Sequence, residues 1–250
     1  MNLLLEGKRA FVSGGTRGIG AALCEVFARE GADVAFNYHS RDDLAEETKA
    51  KIEAHGRRAL AYKVSVTDRF GMKHIAREIL DAWGAINVLV NNAAVNKPDN
   101  FATTTDKSWD WVVDTNVNSL FAVTKPFYKQ MIRQRVGSIL NITSVGAIRS
   151  LPTSVHYATS KAAVQGLTHS LARDLGVHRI RVNTLVPGWV MTEKQIALWL
   201  DDAGREAIAR GQCIDAPLLA QHIAHMALFL AADDSAMCTA QDFIVDGGWV

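Results

Sequence analysis

Residues 13–20 read SGGTRGIG, and they follow directly on a short apolar run, RAFVS at 9–13. The next stretch, GIGAALCEVFAREG, has apolar residues spaced as on one face of a helix. A strand that leads through a glycine-rich turn into a helix brings free backbone N–H groups close to a phosphate. The order therefore predicts a dinucleotide-binding turn rather than a merely structural one. Its predicted contacts are Gly14, Thr16, Arg17, Gly18, Ile19 and Gly20.

The rest of the chain repeats this alternation, because six more short apolar runs separate longer segments of helical spacing. Continuous apolarity within a run is typical of strands that are buried on both faces of a parallel sheet. The pattern predicts a doubly wound α/β fold of Rossmann type, a parallel seven-stranded sheet with helices on both faces. No linker or repeat interrupts it, so we expect a single domain over 1–250. The six runs lie at 33–38, 59–64, 86–92, 137–143, 180–186 and 242–247.

Composition argues against several classes of function. The chain has 27 Lys and Arg against 26 Asp and Glu, a formal charge of +1, which gives no basic surface for nucleic acid or for an anionic membrane. Its three cysteines, Cys24, Cys213 and Cys238, are widely spaced, so they indicate reduced thiols rather than disulfides, and no zinc site is predicted. The sequence shows neither a signal peptide nor an apolar stretch of membrane length. We expect a cytoplasmic protein.

Two polar segments follow strand ends, at 96–110 and 188–217. In open α/β sheets the ligand crevice lies at the carboxyl ends of the strands. These segments are therefore the expected walls of the substrate site, with 188–217 as its lid.

The end of the second strand bears on the choice of cofactor. An acidic residue there would bind the ribose diol of NAD, but the sequence reads FNYHSRDD, with Tyr38, Ser40 and Arg41 at the strand end. Arg17 and Arg41 together suit a phosphate monoester, so NADP is favoured over NAD. Asp42 and Asp43 lie close by and weaken this preference, so use of both cofactors stays open.

Seven motifs, in order, make the chain resemble the short-chain dehydrogenase/reductase family over essentially its whole length. They are SGGTRGIG, VNNAA at 90–94, NVNSL with Asn116, ITS with Ser144, YATSK with Tyr157 and Lys161, PGWVMT at 187–192, and VDGG near the end. Ser13, Ala94 and Ser65 stand where the family usually has threonine, glycine and aspartate, and none of these changes removes a catalytic residue.

The resemblance implies a role for each matching residue. Tyr157 would exchange a proton with the substrate oxygen, Ser144 would position that oxygen, and Lys161 would hold the nicotinamide ribose. Asn116 would sustain a water-linked proton path from Lys161. The remaining implied cofactor contacts are Ser65, Val66, Asn91, Ala93, Pro187, Gly188, Val190 and Thr192.

The spacing of Tyr157 and Lys161 has its own physical meaning. Residues four apart on a helix share a face, so the ammonium would lie near the phenol. A nearby cation favours the phenolate, and we therefore expect Lys161 to lower the pKa of Tyr157. A phenol whose pKa approaches ambient pH can both accept and return a proton.

The segment 188–217, with TEKQ, GREA and QC, and the C-terminal stretch, with CTAQ, are similar to those of the aldose 1-dehydrogenases of this family. Tryptophan faces cover the C–H face of a pyranose, while amides and charged groups match its hydroxyls. We expect hydride transfer from the anomeric carbon, giving a lactone, with a neutral or an anionic sugar as substrate. The expected substrate-binding residues are Asn96, Ser144, Arg149, His156, Trp189, Lys194, Gln195 and Trp199.

Two alternatives stay open. The motifs fit a carbonyl reductase equally well, such as a 3-oxoacyl thioester reductase, although the polar lid does not favour an acyl chain. A non-catalytic dinucleotide-binding protein would have no need of Ser144, Tyr157 and Lys161 together. The family resemblance also implies a homotetramer, with helices at 108–135 and 155–176 between subunits.

Overall fold

A computed structural model of the chain describes residues 3–149 and 154–250. It contains a seven-stranded, fully parallel sheet in the order β3-β2-β1-β4-β5-β6-β7. The strands are β1 (Arg9–Ser13), β2 (Asp33–Tyr38), β3 (Ala59–Lys63), β4 (Val88–Asn91), β5 (Gly137–Ile142), β6 (Ile180–Pro187) and β7 (Asp242–Val245). The predicted single α/β domain with a seven-stranded parallel sheet is confirmed.

Helices cover both faces of this sheet. They are α1 (Gly18–Arg29), α2 (Asp42–Ala54), α3 (Arg69–Trp83), α4 (Asp106–Val113), α5 (Ser119–Gln134), α6 (Val155–Gly176), α7 (Glu193–Trp199), α8 (Asp202–Gly211) and α9 (Ala220–Ala231). Successive strand residues point to opposite faces, so Val12 packs with α1 and α9, whereas Phe11 packs with α3, α5 and α6. Two apolar layers therefore hold the sheet between them.

Local signals explain several helix boundaries. The Asp68 carboxylate accepts hydrogen bonds from the backbone N–H groups of Phe70 and Gly71 and so starts α3. Thr105 and Ser108 cap the start of α4 reciprocally. One π-helical turn, Asp114–Asn118, joins α4 to α5 within a continuous helical segment. Such turns often occur at functional sites, and this one contains Asn116.

The strand order places the ligand crevice. It reverses between β1 and β4, since β2 follows on one side of β1 and β5 follows on the far side of β4. In such sheets ligands bind beyond the carboxyl ends of the strands at this switch point. The residues that follow β1 and β4 are the glycine turn and the second half of VNNAA.

Candidate active site

The glycine turn after β1 is fixed by the end of β4. The Asn92 side-chain amide donates to the carbonyls of Ser13 and Gly14, at 2.9 and 3.1 Å. In return the Ser13 hydroxyl accepts from the backbone N–H groups of Asn92 and Ala93, at 2.9 and 3.0 Å. Gly14 has a φ of +70°, a conformation that other residues rarely adopt. The turn is therefore held in one shape by hydrogen bonds.

This turn fits the pyrophosphate of a dinucleotide. A Cβ on Gly20 would lie 2.0 Å from the carbonyl oxygen of Gly14, so only glycine allows the helix to start this close to the strand. Arg17 precedes α1 and makes no side-chain bond to its first turn, which leaves the N-terminal N–H groups for an anion. Thr16 and Ile19 lie in the same turn, as the sequence predicts.

At the end of β2, the charges pair with one another. The Arg41 guanidinium lies 2.7 Å from the Asp43 carboxylate, and this bond lowers the pKa of Asp43 to about 2. The Tyr38 hydroxyl donates to Asp42, which also receives the Lys63 ammonium at 2.6 Å. Arg41 thus has an acidic partner already. Arg17 and Ser40 are exposed, and the binding of a 2′-phosphate by these three residues stays a prediction.

The expected adenine contacts lie after β3. The Ser65 hydroxyl hydrogen-bonds that of Thr67 at 2.8 Å, which closes a local turn, and Val66 is buried beside it. Their contact with adenine stays a prediction.

The structure limits the predicted cofactor contact of Asn91 to its backbone. Its side chain is buried and donates to Asn141 and Thr124, at 2.8 and 3.1 Å, inside the layer between the sheet and α5. Neighbouring residues at a strand end point to opposite sides, so Asn92 reaches the glycine turn and Asn91 does not. Only the backbone of Asn91 can line the cofactor crevice.

Ser144, Tyr157 and Lys161 converge from two elements. Ser144 follows β5, while Tyr157 and Lys161 lie one turn apart in α6. The Ser144 side chain faces the Tyr157 hydroxyl closely enough for a hydrogen bond to act on the pKa of that phenol. The Lys161 ammonium lies 5.7 Å from the centre of the Tyr157 ring and donates to the carbonyl of Ile142 at 2.9 Å. A hydroxyl pair with a cation close behind it can hold and move a proton.

Burial governs the titration of these groups. It raises the pKa of Tyr157 above its ordinary value, and the hydrogen bond with Ser144 opposes that rise. It also lowers the pKa of Lys161 to about 8. The pKa of Tyr157 is therefore not lowered overall, as the sequence led us to expect, because loss of solvent raises it and the Lys161 ammonium is directed at the carbonyl of Ile142.

The Asn116 side chain fixes the backbone of the segment that follows β4. It pairs in both directions with the backbone of Val95, at 2.8 and 2.9 Å, and also donates to the Ser160 hydroxyl at 3.0 Å. Its amide is therefore fully used in fixing the strand end next to the substrate side. In a proton path, the group of Asn116 that would bind water is therefore its backbone carbonyl.

Four predicted residues lie in the loop after β6. Pro187 ends that strand, and the Gly188 N–H donates to Val245 at 2.9 Å. Val190 is buried, and the Thr192 hydroxyl caps α7 by accepting from the backbone N–H of Gln195. A Cβ on Gly18 would lie 3.1 Å from the Thr192 methyl, so this loop closes over the glycine turn.

Three of the predicted substrate-binding residues have buried polar atoms without partners. Asn96 Oδ1, His156 Nε2 and Trp189 Nε1 are buried and make no hydrogen bond within residues 3–149 and 154–250. His156 is fully buried, and its Nδ1 accepts the N–H of Tyr157, which makes Nε2 the donor. Buried polar atoms almost always have a partner, so these three require an explanation.

Aromatic stacking organises the remaining predicted residues. The ring of Trp189 lies parallel to that of Trp249, with centres 6.1 Å apart, and the Arg149 guanidinium lies 4.5 Å from the centre of Trp249. One face of the Trp189 ring therefore packs on Trp249. Two predicted substrate contacts, the side chains of Lys194 and Trp199, lie outside the part of the chain that the structure describes.

Sequence reasoning missed two residues. Asn92 stands inside VNNAA, and alternation along the strand would have shown that it, rather than Asn91, faces the glycine turn. Trp249 follows VDGG, and its sequence position gives no signal, because only the fold brings it to Arg149 and Trp189.

Comparisons with known proteins agree with this geometry. A protein-family model described as Enoyl-(Acyl carrier protein) reductase matches residues 14–250. A probable galactose dehydrogenase of Rhizobium meliloti is 38% identical over 98% of this chain and 95% of its own length. A 3-oxoacyl-[acyl-carrier-protein] reductase of Thermotoga maritima is 36% identical over 98% of this chain and 99% of its own.

Solved structures are similar as well. One described as a short-chain alcohol dehydrogenase from Sinorhizobium meliloti superimposes with a TM-score of 0.94 at 30% identity, covering 100% of this chain and 98% of the other. A short-chain dehydrogenase/reductase variant of Serratia marcescens gives 0.91 at 31% identity, covering 98% of this chain and 99% of its own. Among the described residues, no helix combines the length and the apolar character that crossing a bilayer requires.

Proposed function

Because this chain belongs to the short-chain dehydrogenase/reductase family, and is thus an oxidoreductase that uses a nicotinamide cofactor, we propose that it oxidises an aldose at the anomeric carbon to the lactone. The relative described as a probable galactose dehydrogenase supports a sugar substrate. NADP is the proposed cofactor, with NAD as the alternative, since Arg41 follows the strand end that distinguishes the two cofactors and Arg17 lies in the glycine turn.

The unpartnered polar atoms carry this proposal. Asn96 Oδ1 is an acceptor, while His156 Nε2 and Trp189 Nε1 are donors, and they come from three separate segments beside Tyr157 and the loop after β6. A ligand with several hydroxyls satisfies both kinds of atom, because each hydroxyl donates and accepts. An acyl chain satisfies neither kind.

In the proposed mechanism Tyr157 removes the proton from the anomeric hydroxyl. Ser144 hydrogen-bonds the same oxygen and keeps the hydroxyl of Tyr157 aligned. A nicotinamide held beyond the glycine turn would supply the acceptor for the hydride that leaves the anomeric carbon. The Lys161 ammonium lies close behind the Tyr157 ring, where a positive charge stabilises the phenolate that accepts this proton, and it is also placed to hold ribose hydroxyls.

Supporting residues fix the geometry. Asn116 holds the Val95 backbone, and its own carbonyl is the proposed anchor for water leading to Lys161. The segment 188–217, which contains α7 and α8, is the proposed lid over the substrate. We also propose that the chain works as a cytoplasmic homotetramer, with neither a nucleic acid nor a membrane as partner.

The second candidate is a carbonyl reductase that works on 3-oxoacyl thioesters. The relative from Thermotoga maritima favours it at similar identity, since the catalytic residues serve both directions of hydride transfer. The unpartnered polar atoms argue against this candidate, because an acyl chain forms no hydrogen bonds with them.

A substrate panel separates the two candidates. Purified protein is assayed with neutral aldoses, uronic acids and an acetoacetyl thioester, each with NAD and with NADP, by the absorbance of the reduced nicotinamide. We expect aldose oxidation with a kcat/KM at least tenfold above that for thioester reduction. Thioester reduction without aldose oxidation would overturn the proposal in favour of the second candidate.

A further inference from the structure

We propose that Trp249 positions Arg149 to bind an anionic group on the sugar, so that the preferred substrate is an acidic aldose. This inference rests on the proposed function, since it names the substrate class of the same site. The anion is a carboxylate or a sulfonate, because both present the acceptor oxygens that a guanidinium binds in pairs.

Arg149 lies where a substrate substituent would be. It belongs to the loop that Ser144 opens after β5, and Ser144 hydrogen-bonds the proposed base. Its backbone N–H donates to Val145 at 2.8 Å, which closes that loop and turns Arg149 towards Trp249.

Trp249 is a rigid support for this cation. A Cβ on Gly211 would lie 2.1 Å from Trp249 Nε1, so the indole sits tightly against the end of α8. The Asp246 carboxylate accepts from the backbone N–H groups of Gly248 and Val250, at 2.8 and 2.9 Å, and so fixes both sides of Trp249 in the chain. The Trp189 ring lies parallel to it, at 6.1 Å.

Stacking leaves the edge of the guanidinium available. A cation over an aromatic face uses its flat side, so the in-plane N–H groups stay free for a ligand. The side chain of Arg149 makes no hydrogen bond to any residue that the structure describes, and it is partly exposed. Arg58 offers the contrast, since it also lies over a tryptophan, Trp83, but bonds Asp33 at 2.9 Å.

A second feature of the same stack is consistent with this ligand chemistry. Trp189 Nε1, on the ring that stacks against Trp249, is a buried donor without a partner in the described residues. One stack thus presents an indole N–H and a guanidinium, which are donors only. Donors without acceptors are matched by a group that only accepts, and an ionised carboxylate or sulfonate is such a group.

The test compares a neutral aldohexose with its uronic acid. For each, kcat and KM are measured with wild type, Arg149→Met, Arg149→Lys, Trp249→Ala and Trp249→Phe. An aldose with a sulfonate on its terminal carbon is run beside them to distinguish the two anions. Arg58→Met is the matched control, because it removes an arginine that stacks on a tryptophan far from Ser144.

We expect Arg149→Met to reduce the ratio of kcat/KM for acid over neutral sugar about 30-fold, through KM, since a hydrogen bond to a charged group is lost. Trp249→Ala should reduce the ratio about fivefold, Trp249→Phe should restore most of it, and Arg58→Met should leave it unchanged. Thermal unfolding of each variant identifies any loss that comes from misfolding, which affects both sugars equally.

Two results overturn the inference and leave the proposed function standing. One is a wild type that oxidises the neutral sugar and rejects both acids, and the other is an acid-to-neutral ratio that Arg149→Met does not change. A wild type that oxidises no aldose is a different result, and it refutes the proposed function itself.

Discussion

The two ends of the crevice differ in how their polar groups are satisfied. Around the glycine turn, four hydrogen bonds join Ser13 and Gly14 to Asn92 and Ala93, so the backbone that faces the cofactor is fixed before any ligand binds. On the substrate side, Asn96, His156 and Trp189 keep buried polar atoms without partners in the described residues. The glycine turn is thus preformed, whereas the hydrogen bonds on the substrate side are completed by the ligand. The residues with unpartnered polar atoms therefore determine which substrate binds.

The largest expected effect lies where the two ends meet, at the proposed base. Tyr157→Phe removes the hydroxyl and should reduce kcat at least about a thousandfold, since acid–base catalysis contributes ~10²–10⁴. Steady-state kinetics checks this, with Tyr62→Phe on β3 as the control. Turnover that persists at the wild-type rate would remove Tyr157 from the mechanism.

Burial of the Lys161 ammonium should destabilise the folded protein. Its pKa is lowered from 10.5 to about 8, so the unfolded chain holds more protons between these values and wild-type stability rises with pH across that window. Lys161→Met should therefore be more stable at pH 7 by roughly 2 kcal/mol, allowing for the lost bond to Ile142. The gain should shrink as pH rises from 8 to 10.5.

Urea unfolding at pH 7 and at pH 10 measures this difference. The variant should also lose activity at both pH values. A Lys161→Met protein that is less stable than wild type at pH 7 would show that burial of the ammonium is not costly.

Asn92→Ala tests whether hydrogen bonds fix the glycine turn at the cofactor end. Loss of its bonds to Ser13 and Gly14 should raise the KM for the cofactor about tenfold and destabilise the fold by ~1–2 kcal/mol. Asn87→Ala is a matched control, because Asn87 bonds the backbone of Arg9 at the opposite end of the same strand pair. Equal cofactor KM values in the two variants would mean that the turn does not depend on Asn92.

The smallest expected effect concerns the choice between cofactors. Asp43→Asn frees the Arg41 guanidinium, so the ratio of kcat/KM for NADP over NAD should rise about threefold to tenfold. Asp33→Asn, which frees Arg58 on the far side of the sheet, is the control. An unchanged ratio would show that Arg41 takes no part in binding the 2′-phosphate.

Local pattern predicted the fold well because strands and helices each carry their own period. The run at 9–13 became β1 residue for residue, and the segment 155–176 became α6. The segment 108–135 did not reveal its π turn at Asp114–Asn118, since that turn depends on the pairing of Asn116 with Val95.

The site was harder to predict wherever a tertiary neighbour decides. The spacing of Tyr157 and Lys161 placed them correctly, but burial reversed the expected pKa change of Tyr157. The sequence placed two aspartates beside Arg41, but it did not show which one would pair with the guanidinium, and in the structure Asp43 does. Trp249 lies far from Arg149 along the chain, so no local pattern could join them.

Transfer of deuterium from an aldose labelled at its anomeric carbon tests whether the hydride leaves that carbon for the nicotinamide. We expect the label to appear in the reduced nicotinamide, with a slower turnover than for the unlabelled sugar and a lactone as the first product. Oxidation without label in the nicotinamide, or with hydrogen lost from another carbon, would contradict the claim.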